Sequence, residues 1–233
     1  MPEYSGSGTR ATLPQQVTAA EFIAQARAAL GDAGETPTWS DAELLLFLNE
    51  AIREYSQHLP RLVETRLAAV AGVRRYGLPV DTRAVLSVEY PEGRVPACYL
   101  ARLASKSRRF AGASAAYDFL LRHDLTTAPA LLLSFDPAAG ETLLVRHTRP
   151  HAAPATVNDT LTAPGEHHHV LTGYVLFAAA RQLQAAEQAR PTGGSLLMAQ
   201  LAANARRHEL AYLNALNRIL TQRQGESGVV VWG

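Results

Sequence analysis

Residues Thr36–Pro60 read TPTWSDAELLLFLNEAIREYSQHLP. Ser40 stands where a helix N-cap accepts a backbone hydrogen bond, and Glu43, three residues on, can reach back to it, which makes a capping box. Trp39 and Leu44 occupy the flanking positions of a hydrophobic staple. Asp41 and Glu43 put negative charge at the positive end of the helix. Leu44, Leu45, Leu48, Ile52 and Tyr55 recur at helical spacing and form an apolar stripe. Pro60 ends the pattern. The stretch predicts a helix from Ser40 to about Gln57 with one side turned to a core. A single helix cannot bury such a stripe alone, so the rest of the chain must supply its partners.

The same start signal occurs upstream. In Val17–Phe22, Thr18 caps, Glu21 closes the box, and Val17 and Phe22 stand as the staple. Phe22, Ile23, Ala26 and Leu30 share a face, and Gly31 stops the helix. Residues 1–16, rich in Ser, Gly, Thr and Pro, read as a flexible arm.

The middle of the chain changes period. Glu64–Val70 and Val73–Tyr76 flank Ala71-Gly72 and read as a hairpin. Ala84–Tyr90 alternates, Pro91-Glu92-Gly93 turns the chain, and Val95–Leu100 returns. Phe119–Leu121, Ala130–Phe135 and Thr142–His147 add strands, with Pro137–Gly140 as the turn between the last two. Ser105–Ala116 and Pro150–Gly165 read as loops.

Helix returns from near Glu166 to Gln188, breaks at Pro191-Thr192-Gly193-Gly194, and resumes over Leu196–Gln222. Leu197, Leu201, Ala205, Leu210, Leu213, Leu216 and Leu220 fall close to one face. The short break predicts an antiparallel helical hairpin. The expected class is α+β: a helical bundle from 17–60 and 164–223, an inserted antiparallel β block over 61–150, and an extended tail from 224 to 233.

Composition narrows the function. Over 233 residues, 47% are hydrophobic and 18% charged, which suits a globular chain with a sizeable core. A formal net charge of +1 gives no field to draw nucleic acid or anionic lipid. The single cysteine, Cys98, allows no internal disulfide and no cysteine-based zinc site. The first ten residues lack an apolar stretch and no run approaches a membrane span, so neither secretion nor a membrane is expected.

Candidate chemistry is sparse. His147, His151 and His167–His169, with Glu166, could be offered to a metal, and a histidine–metal hydrolase is one reading. Three consecutive helical histidines point about 100° apart, however, and the spacing matches no H-E-x-x-H pattern. A polar helix start explains them as well. Gly112–Ala116 begins like a nucleophile elbow but lacks its second glycine. No dinucleotide or phosphate-binding glycine motif occurs. Lys106, Arg108 and Arg109, and Arg206 with Arg207, could touch phosphates, but no DNA-binding motif surrounds them. No catalytic, cofactor-binding or metal residues are assigned.

The chain ends in GESGVVVWG. Val229, Val230, Val231 and Trp232 form a β-prone apolar run at a terminus. Such a run can add to a sheet edge of another chain or close the chain's own sheet. These four residues are the candidate docking segment.

Trp39, Ser40, Asp41, Glu43, Leu44, Leu45, Leu48, Asn49, Glu50, Ala51, Arg53 and Glu54 match a W-[ST]-D-x-E-L-L-x-x-[LI]-N-E-A-x-R-E pattern. It resembles the second helix of head-to-tail adaptor (connector or neck) proteins of tailed bacteriophages. YGLPVDTRAVLSVEY is similar to the strand that family uses after its first hairpin, and LTGYVLFAAARQL with AYLNALNRIL to its paired C-terminal helices. The resemblance covers most of Val17–Leu220. It implies a virion protein without enzymatic activity or cofactor. Its copies, commonly twelve, would form a ring on the portal, with a downstream stopper or tail protein below and DNA passing through the channel. Assembly would take place in the host cytoplasm. A stopper or tail-completion ring of the same neck is the alternative.

Overall fold

The computed structural model describes residues 17–102, 115–120, 128–190 and 195–226. The protein is α+β, and the described residues form four α-helices and two sheets whose strands are mainly antiparallel. It divides into two compact units. One runs to Tyr55 and resumes at Ala152; the other is Ser56–His151.

The helical unit starts with α1 (Ala19–Leu30). The Thr18 capping box closes it, with Glu21 N–H donating to Thr18 Oγ1 at 3.2 Å and Thr18 N–H to Glu21 Oε2 at 2.8 Å. Gly31 ends it at φ 69°, a left-handed conformation that costs a residue with a Cβ more. Arg27 then bridges Asp32 (3.0 Å) and Asp41 (2.6 Å), which ties α1 to the start of α2 (Asp41–His58). Asp32 also accepts from the N–H groups of Thr38 and Trp39, and these contacts hold its carboxyl below the usual range against the opposing effect of burial. After a 3-10 turn over Gly165–His167 come α3 (His168–Gln188) and α4 (Ser195–Glu226).

Helices α3 and α4 pack antiparallel. Gly173 of α3 lies against Tyr212 of α4, so closely that an added Cβ would meet the Tyr212 Cα at 3.4 Å. Farther along, Phe177, Arg181 and Gln184 face Ala202, Ala205 and Arg206. The buried face of α4 is Ala205, Tyr212, Leu216 and Ile219. This corrects the expected stripe: Leu197, Leu210 and Leu213 are exposed at 44%, 50% and 42%. The buried stripe follows helical steps through Tyr212, a residue that leucine periodicity passes over. Helix α4 also continues through Glu226, so residues 224–226 are helical where an extended tail was expected.

In the second unit the strands are β1 (Arg61–Ala68), β2 (Arg75–Gly77), β3 (Ala84–Glu89), β4 (Ala101–Arg102), β5 (Ala116–Leu120), β6 (Ala130–Leu133) and β7 (Thr142–Arg149). They form two sheets, ordered β1-β7-β3 and β2-β6-β5-β4. Val85, Val88, Leu143 and Val145 from the first join Tyr76, Tyr117, Leu131 and Leu133 from the second in one core. Burying each aliphatic side chain there contributes roughly 1.5–3 kcal/mol.

The expected hairpin at Ala71-Gly72 is corrected. The turn exists, with Gly72 at φ 75° and Val73 N–H donating to Val70 O. Its arms part, however: β1 pairs with β7 over eight residues, while β2 pairs with β6. A turn fixes direction only, and the longer ladder takes β1. Pro137–Gly140 likewise joins strands of different sheets. The β block is not wholly antiparallel either, because β4 and β5 run parallel.

The units divide within α2, between Tyr55 and Ser56. Its last turn is bonded to the strands: Arg83 Nη1 donates to Ser56 O at 2.8 Å, and His151 N–H to Ser56 Oγ at 2.9 Å. The loop after His151 belongs to the helices, where Asn49 Nδ2 donates to Pro154 O and Ala19 N–H to Asp159 O.

Candidate functional site

The capped helix start on α2 is built from residues three apart. Ser40 N–H donates to Glu43 Oε2 at 2.8 Å, the Ser40 hydroxyl donates to the same oxygen at 2.7 Å, and Glu43 N–H returns to Ser40 Oγ at 3.2 Å. The Ser40 contacts hold the Glu43 carboxyl below its usual range. Trp39 and Leu44 are buried, and the Trp39 ring meets Phe47 edge-on at 5.6 Å. These side chains anchor a helix, and their polar atoms are turned on one another.

The five candidate histidines are split between the two units, and each is engaged where it stands. His147 is fully buried on β7, with Nε2 2.9 Å from Thr65 Oγ1 and Nδ1 3.3 Å from Thr82 Oγ1. Burial pushes its pKa down, and the Arg149 guanidinium adds to this. His151 Nε2–H donates to Leu59 O at 3.1 Å. His167 Nδ1 lies 2.5 Å from the Tyr55 hydroxyl, whose pKa burial raises to about 12. His168 Nε2–H donates to Ala163 O, and its ring meets Phe22 edge-on. His169 Nδ1–H donates to Glu166 O at 2.8 Å. Among the described residues no three or more His, Cys, Asp or Glu side chains gather in a way that could hold a metal. No helix there is long and apolar enough to cross a membrane.

Two features face outward instead. Helix α4 exposes Leu196, Leu197, Leu210 and Leu213, with Arg206 and Arg207 also exposed. Strand β1 lies at the end of its sheet, and Leu62 on it is 60% exposed. Sequence reasoning missed this edge because it gave β1 a hairpin partner; the alternation from Leu62 to Ala68 was the available signal. The docking segment Val229, Val230, Val231 and Trp232 lies outside the described residues, as do Lys106, Arg108, Arg109 and Ser114.

The described surface is thus one of helix faces and a strand edge. A family model for the SU10 adaptor protein matches residues 17–232. No curated protein matches the chain. Among solved structures, it is similar to a chain in the neck of an empty GTA particle computed with C6 symmetry. That likeness has 15% identity and a TM-score of 0.31, and it covers 70% of this chain and 82% of the other.

Proposed function

Because the chain belongs to the SU10 adaptor protein family, we propose that it is a head-to-tail adaptor in the neck of a tailed-phage-like particle. The observation that carries this reading is the extent of the family match, from residue 17 to residue 232, which takes in both units. The helices would pack copy against copy in a bundle-based ring, commonly of twelve. The portal protein would lie on one side and a stopper or tail protein on the other. The exposed leucines of α4 supply apolar surface for such packing.

DNA would pass through the central channel without tight binding, which a net charge of +1 supports. The work is assembly and not catalysis, done in the virion neck after folding in the host cytoplasm. Val229–Trp232 would dock the ring by strand addition.

The test is mass photometry of the protein alone and mixed with the portal ring of the same genome. The expected result is a portal complex heavier by many copies of a 25.1 kDa subunit. A portal ring whose mass is unchanged at micromolar protein would overturn the adaptor reading in favour of a stopper.

A further inference from the structure

Sheet edges invite pairing, and folded proteins guard them with short strands, bulges, covering segments or charges. Among the described residues, three of the four sheet edges are guarded. The second sheet ends in β2, of three residues, and β4, of two. In the first sheet, β3 is bulged between Val85 and Ser87. The returning chain also covers it, since Leu100 N–H donates to Val88 O and Tyr90 N–H to Cys98 O.

Strand β1 is neither short nor bulged, and among the described residues no segment covers its open side. It runs eight residues in unbroken register with β7 and contains no proline. Ala69 N–H donates to Glu141 O at 2.9 Å, which sets the parity of the ladder. Arg61, Val63, Thr65 and Leu67 therefore bond toward β7, and Leu62, Glu64, Arg66 and Ala68 turn their N–H and C=O groups to the open side. Among the described residues none of these groups has a partner. The two charges on that side are already engaged: Glu64 pairs with Arg146 on β7 at 2.8 Å, and Arg66 with Glu92 at 2.7 Å. Val63 and Leu67 are half-buried, and Leu67 packs against the core.

The chain itself carries a segment of matching chemistry. Beyond the end of α4 at Glu226 come Ser227-Gly228 and then Val229–Trp232, uncharged and β-prone. Seven residues extended reach about 23 Å. We infer that residues 227–233 of one copy add as a strand to the open edge of β1 in a second copy. Each chain then offers one donor tail and one acceptor edge. Such a head-to-tail contact closes into a ring when the rotation per copy allows. The inference rests on the ring assembly proposed above and names the surfaces that would link it.

The test uses the full chain with Cys98→Ser, which removes the only thiol. Leu62→Cys and Ala68→Cys, exposed and without ion pairs, mark the edge; Val230→Cys and Val231→Cys mark the tail. An edge variant and a tail variant are mixed under mild oxidation on the portal ring. Disulfide-linked heterodimers are expected. Yields should differ several-fold between the two tail positions, which face opposite sides of a strand. The favoured tail position should be the same for Leu62→Cys and Ala68→Cys, which share a face.

Equal yields from both tail positions would mean a loose tail and overturn the inference. So would a link that forms within a chain carrying both substitutions but not between an edge variant and a tail variant, which would mean that each tail closes on its own edge. Portal complexes that form without any link overturn it too, and leave the adaptor reading intact. If no portal complex forms, the adaptor reading fails, and this inference falls with it.

Discussion

His147 shows how a single side chain here does structural work. Its imidazole is fully buried between two threonine hydroxyls, and burial holds its pKa below the ordinary 6.5. A depressed folded pKa means that the unfolded chain takes up a proton first as pH falls. The stability His147 contributes is complete above pH 6.5 and is lost as pH falls from there through the folded value. His167, also depressed by burial, acts in the same direction. Acid-titrated unfolding should therefore show falling stability below pH 6.5, and His147→Gln should flatten that slope while lowering stability at pH 8. A slope unchanged by the substitution would show that His147 does not titrate on unfolding. The histidines stand out in the sequence, but their use does not. Thr65 and Thr82 are 82 and 65 residues from His147, so only the folded sheet brings them together.

At the scale of elements, α4 separates periodicity from burial. Leu216 is 4% exposed and Leu210 is 50% exposed, although both belong to the same leucine series. Leu216→Ala should cost about 2–5 kcal/mol and lower the melting temperature, as buried leucine truncations do. Leu210→Ala should stay within about 0.5 kcal/mol, as surface changes do. Thermal melts of the two variants, measured on the monomer, compare them directly; equal losses would mean that the face is wrongly drawn. The Thr18 helix start was legible because its hydrogen bonds span three residues. The pairing of β1 was not, since Arg61 and its partner Arg149 lie far apart in the chain and a nearby turn offered a false partner.

At the scale of the whole molecule, the proposed role puts weight on residues beyond α4. Residues 227–233 follow the last described element, α4, which ends at Glu226. The truncated chain should melt within a few degrees of the intact one and lose most of its oligomer on the portal. Circular dichroism and mass photometry read the two effects separately. A truncated chain that fails to fold would assign the tail to the chain's own core.

What the sequence determined by itself was local in range. Helix starts and stops, turns at Gly72 and Gly140, and the α+β class all depend on residues within one turn or one strand of each other. The family also was legible, because a capped helix pattern and the order of elements survive in the linear chain. Tertiary structure alone decided which strands share a sheet, which face of α4 is covered, and which edge stays open. Those outcomes depend on distant surfaces competing for the same burial. A local pattern states that a face is apolar, and only the folded chain selects what lies against it.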